Sequence, residues 1–259
     1  MVNGLNTFRS WFTDYQDNYI IIGGTACDAV LTDAGLTPRA TKDIDIILIF
    51  EALTKEFVSH FWEFVKEAGF RRCEQEIEKR NAYRFLDPAD TRFPKQVELF
   101  CRMPNALTLP SDLHITPIPV GEGLSSLSAI LLNDEYYQFT LNHSYFDDGI
   151  HFANIEALIC LKAYAFLSNL KLKESGVEIH SVNIEKHKND VFRLLPLLPQ
   201  NTTIELGTDM LADMKKFAST IEAQLPDNKM LKDAGYVELT SETLYQNLVS
   251  IFQLDKPLP

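Results

Sequence analysis

Positive charge is scarce in this chain, in which 24 Lys and Arg residues stand against 36 Asp and Glu, a formal net charge of -12. That balance argues against broad adhesion to nucleic acid or anionic membrane, although it leaves room for a local basic patch that docks an RNA end. Long apolar runs are missing too. None reaches the roughly 18 residues that a membrane-crossing helix needs. Residues 1–18 carry polar and charged side chains throughout, with no apolar core of signal-peptide length. The four cysteines (Cys27, Cys73, Cys101 and Cys160) form no CxxC pair and sit among apolar neighbours, as buried free thiols do. A cytoplasmic protein without a membrane partner is the expectation. Repeats and low-complexity tracts are also absent, and with 46% apolar residues the chain of 259 residues has enough material for a large core.

The order of elements predicts an α+β fold, with a mixed sheet and flanking helices followed by a helical C-terminal domain. Leu5 to Asp17 reads as an amphipathic helix, with Phe8, Trp11, Phe12 and Tyr15 at helical spacing. Tyr19–Ile22 is a short apolar strand running into Gly23-Gly24-Thr25, and Ala26 to Asp33 is a helix. Asp43 to Phe50 is a strand that is apolar on both faces beyond its acids, as a central strand covered on both sides would be. Thr54 to Ala68 is a helix, Arg71 to Leu86 is one or two strands, and Gln96 to Arg102 is another. Pro104 to Gly123 reads as loop. A strand pair is expected at Ala129–Leu132 and Tyr136–Leu141 about an Asn133-Asp134-Glu135 turn. Helical patterns near 154–172, 184–197, 209–224 and 240–253 place a domain boundary near residue 150, dividing 1–150 from 151–259.

Chemistry concentrates at the front of this pattern. Asp43 and Asp45, two residues apart on a strand, point to one face. Two carboxylates that close raise each other's pKa unless a cation lies between them. Oxygen ligands of this kind suit Mg²⁺ (or Mn²⁺), which takes one or two carboxylates together with substrate phosphates. The double glycine lets backbone approach a phosphate, and the helix behind it offers free N–H groups. Glu98, one charge inside the apolar run Val97-Glu98-Leu99-Phe100-Cys101, is the candidate third ligand; a place on a solvated edge face, or pairing with Arg84 or Lys95, is the alternative. Lys162 interrupts a helix that is apolar nearly all round, so it snorkels, pairs or meets a ligand. Lys186 to Asp190 reads by itself as a charged helix face.

The run Ile22-Gly23-Gly24-Thr25-Ala26, with Arg39, Thr41, Asp43, Ile44 and Asp45 in an R-x-T-x-D-I-D spacing, resembles the polymerase-beta-like nucleotidyltransferases. It is most similar to the AbiEii/AbiGii-type branch. Leu161-Lys162-Ala163 and Lys188-Asn189-Asp190 resemble that family's later motifs, while Gly24 stands where many members have serine. The resemblance implies a nucleotidyltransferase fold and an enzyme that moves NMP from an NTP to a tRNA-like RNA end or a protein hydroxyl. It also implies a toxin-like role with an antitoxin-like partner. Asp43, Asp45 and Glu98 would be the metal ligands, with Asp190 as a further active-site residue. Gly23, Gly24, Thr25, Thr41, Lys42 and Lys162 would contact the nucleotide. A non-catalytic nucleotide-binding or partner-binding module on the same fold is the alternative. Haloacid-dehalogenase phosphatases and DxD glycosyltransferases fit less well, because the acids open their strand and follow a glycine–helix unit.

Overall fold

The computed structural model describes residues 2–75, 82–102, 115–117, 133–199 and 201–256. They form an α+β structure around a mixed sheet. Its strands are β1 (Tyr19–Ile22), β2 (Asp43–Leu48), β3 (Arg72–Gln75), β4 (Ala82–Leu86), β5 (Gln96–Phe100), β6 (Ile115–Pro117), β7 (Ser144–Asp147) and β8 (Ile150–Ala153). Their order across the sheet is β6-β3-β4-β5-β2-β1-β8-β7. The β2/β5, β1/β8 and β3/β6 pairs are parallel and the other neighbours antiparallel.

Register assigns the faces. Ile44, Val97 and Phe85 are aligned across β2, β5 and β4. This face meets α3 (Lys55–Ala68), whose Phe61 and Trp62 lie edge-on to Phe85 at 5.7 and 6.0 Å. The helix is capped by the Thr54 hydroxyl, which accepts from the Phe57 N–H, and it ends at Gly69. Helix α1 (Leu5–Phe12) joins the same aromatic layer through Phe8 and Phe12, both packed on Phe64. The intervening residues Asp45, Glu98 and Arg84 therefore point to the opposite face. That side carries α2 (Gly23–Asp33), which packs on β2.

Two helices complete the site-bearing part. Helix α5 (Ile155–Glu174) begins where the Asn154 side chain accepts from the Ala157 N–H, and it packs on α2. Helix α6 (Ser181–Leu194) packs along α5. Behind them lie α7 (Thr208–Ile221), α8 (Asn228–Ala234) and α9 (Ser241–Ile251). No described helix is long and apolar enough to cross a membrane.

Two expectations are corrected. Tyr136–Leu141 is not a strand but lies in helix α4 (Asp134–Asn142). Asn133, read as a turn residue, is its N-cap and accepts from the Glu135 and Tyr136 N–H groups. Asp134 and Glu135 then form an acidic first turn that suits the helix dipole. Within the stretch read as loop, Ile115–Pro117 pairs with β3; the rest of that stretch and Ala129–Leu132 lie outside the described residues. Strand β8, which pairs with β1 at Ile21 and Phe152, carries the sheet to Ala153, across the boundary expected near 150.

Candidate functional site

A cavity of about 950 Å³ opens on the face that carries Asp45. Asp43, Asp45, Glu98, Gly23, Gly24, Thr41 and Lys162 all line it, so the structure gathers most of the expected residues in one cleft. The acids come from adjacent strands. The parallel register sets Asp45 directly beside Glu98, and Asp43 beside Gln96. Burial raises the pKa of Asp45, and the nearby Asp43 raises it further. Burial and then the charge of Asp45 push Glu98 up to about 8. These carboxylates lie in each other's field with too little water to screen it, an arrangement that a cation would relieve.

Gly23 shows how closely the first turn approaches these acids. Its φ of 71° is one that L side chains adopt at a cost, and a Cβ placed there would lie 1.7 Å from Asp45 Oδ2. The Gly24 N–H bonds to Asp45, so the start of α2 serves a carboxylate of the chain itself. A Cβ on Gly24 would meet Thr41 Oγ1 at 2.5 Å. The glycines are thus needed to seat the segment Arg39–Asp45, in addition to any phosphate they meet.

Glu98 is held from two sides. Its Oε1 accepts from Gln96 Nε2 at 2.7 Å and lies 3.3 Å from Arg84 Nε. Arg84 in turn faces Glu74 at 3.5 Å, making a buried row of alternating charge across β3, β4 and β5. Among the described residues no three Asp, Glu, His or Cys side chains converge as ligands of one ion. Asp43 and Asp45 fit a Mg²⁺ that completes its shell with phosphates and water. Glu98 as found is a neighbour of that pair, tied to Arg84 and Gln96.

Cations line the cleft as well. Lys162 Nζ lies 3.1 Å from Asp190 Oδ2, and Arg39 Nε donates to both Asp190 oxygens at 3.0 and 3.1 Å. Arg193 Nη1 lies 3.4 Å from the same carboxylate. Burial opposes the charge of Asp190, but Lys162 and Arg39 hold its pKa well below the ordinary carboxylate range. Asp190 does not line the cleft; it anchors the two cations that do. Lys186 and His187 line the cleft beside them. Burial, then the charges of Lys162 and Lys186, hold His187 well below its usual pKa, so its imidazole is neutral.

Two expected nucleotide contacts are found elsewhere. Thr25 is buried, and its hydroxyl donates to the Asp43 carbonyl at 2.6 Å, tying α2 to β2. Lys42 is exposed and outside the cleft wall. Conversely, Arg39, Arg84, Gln96, Lys186 and Asn169 line the cleft without having been singled out as site residues. Arg39 carried a signal in the R-x-T-x-D-I-D spacing. Asn169 carried one only as a polar residue seven positions after Lys162 in an apolar helix.

No protein-family model matches the chain, and no curated protein matches it.

Proposed function

We propose that this chain is a metal-dependent nucleotidyltransferase that moves NMP from an NTP to a hydroxyl on an RNA end or a protein. The observation that carries the reading is one cleft lined both by carboxylates (Asp43, Asp45 and Glu98) and by cations (Arg39, Lys162 and Lys186). A triphosphate carrying Mg²⁺ would suit both kinds of side chain, the metal the acids and the phosphates the cations. Asp43 and Asp45 would hold the metal, which would supply charge neutralisation at the reacting phosphate. Lys162 and Arg39, fixed by Asp190, face the phosphate oxygens without having to reorganise. Glu98 positions the acceptor hydroxyl or takes its proton, which requires it to leave Gln96 and Arg84. The nucleotidyltransferase fold and the toxin-like setting belong to the same proposal.

One observation favours the alternative, a nucleotide-binding module without catalysis: Glu98 is engaged with Gln96 and Arg84 rather than turned to the aspartates. The test is incubation with each labelled NTP, Mg²⁺ and total tRNA or cell extract, beside Asp43→Ala. Label transfer by the native protein and none by the variant is expected. Transfer that survives the substitution would overturn the assigned site, and NTP binding without transfer to any acceptor would establish the module.

A further inference from the structure

At the end of the cleft away from the aspartates, one buried polar atom is left over. Asn169 is 4% exposed and lines the cavity, and its Oδ1 has no hydrogen-bond partner among the described residues. The amide orientation follows from its neighbour. Asn169 Nδ2 lies 3.5 Å from the Asn183 carbonyl oxygen, which only accepts, so the donor end faces Asn183 and Oδ1 is the end left without a partner. A buried acceptor without a donor is costly, and a ligand N–H would relieve it.

Helix α5 sets the distance. Lys162, Ala165 and Asn169 all line the cleft, spaced three and four residues apart on one helical face. Seven residues at 1.5 Å each put Asn169 about 10 Å along the axis from Lys162. That span is comparable to the reach from the phosphates of a nucleotide to the far edge of its base. Between them stands Ala165, small enough to leave room for the sugar and ring. The backbone oxygen of Asn183 lies beside the amide.

We propose that Asn169 selects the base of the NTP by accepting a hydrogen bond from an exocyclic amine on the edge remote from the sugar. Adenine and cytosine carry such an amine; guanine and uracil carry a carbonyl there, which an acceptor repels. This assignment rests on the nucleotidyltransferase reading above.

The test compares binding and transfer of ATP, CTP, GTP and UTP with Mg²⁺ by the native protein and by Asn169→Ala. Roughly tenfold higher kcat/KM for ATP or CTP than for GTP and UTP is expected, carried in KM and lost in the variant. Purine riboside triphosphate, which is ATP without its amine, gives a readout that leaves the protein unaltered. If the native protein favours ATP, this analogue should bind about tenfold more weakly; for a CTP preference, the 4-deamino analogue of CTP takes its place. Transfer with equal use of all four NTPs, a preference for GTP or UTP, a preference that survives Asn169→Ala, or equal binding of the deamino analogue would each overturn the inference while the transferase reading stands. If no NTP is bound or transferred, both fall.

Discussion

Asp45 and Glu98 lie directly opposite each other on neighbouring parallel strands, although 53 residues of chain separate them. With Asp43 two residues away, the pair concentrates negative charge on a buried sheet face. What holds it there is the surrounding packing together with Gln96 and Arg84, which tie Glu98, because the acids themselves repel. The substitutions below probe that tension.

Replacing Asp45 by Asn removes charge while keeping an acceptor for the Gly24 N–H. Burial and Asp43 raise the Asp45 pKa, so its ionised form costs stability, and the cost grows as pH rises above the unfolded carboxylate value. In metal-free buffer at pH 7 the variant should melt higher by roughly 2–6 °C, about 1–2 kcal/mol. Near pH 3 the two proteins should converge. Added Mg²⁺ should raise the native Tm and leave the variant's unchanged; a Mg²⁺ response retained by the variant would remove Asp45 from the metal site.

Gly23→Ala should be far more damaging than Gly35→Ala. Both positions have positive φ, 71° and 72°, so backbone strain is common to both. Only at Gly23 does the added carbon strike Asp45; at Gly35 nothing lies within 4 Å. Gly35→Ala should cost about 1 kcal/mol and keep the Mg²⁺ response. Gly23→Ala should cost roughly 3 kcal/mol or more and lose it. Equal thermal shifts in the two variants would mean that the turn relaxes away from Asp45.

Asp190 sits among Lys162, Arg39 and Arg193, and its folded pKa is depressed. A depressed carboxylate adds stability above its unfolded pKa and loses it as pH falls through the folded value. Asp190→Asn leaves buried cations unpaired and should cost about 3–5 kcal/mol at pH 7. Denaturant unfolding from pH 7 down to pH 2 should show this gap narrowing below about pH 4. A gap that stays constant would show that charge is not what Asp190 contributes.

Thr25 separates a tie within the fold from a phosphate contact. Its hydroxyl is used on the Asp43 carbonyl, so Thr25→Val should lower stability by about 1 kcal/mol with little change in KM for NTP. A KM raised tenfold at unchanged Tm would return Thr25 to the phosphates.

Local chemistry was enough to read much of this protein from its residues in order. Continuous apolar runs mark β1 and β2, which are buried on both faces, and helical periodicity marks α3, because burial of one helix face leaves a period in the chain. The Asp43/Asp45 pair needs only the two-residue repeat of a strand to share a face. Residues 133–142 misled because Asn, Asp and Glu serve equally as turn formers and as a helix start, and only the bonds from Glu135 and Tyr136 to Asn133 distinguish them. Whatever depends on distant partners had to await the folded chain. The register that brings Glu98 to Asp45 and Arg84 follows from strand order, and Asp190 meets Arg39 across 151 positions of sequence. Which carboxylate anchors cations and which faces the cleft is a matter of three-dimensional neighbours, and these lie on β2, β4, β5, α5 and α6 and on the segment before β2.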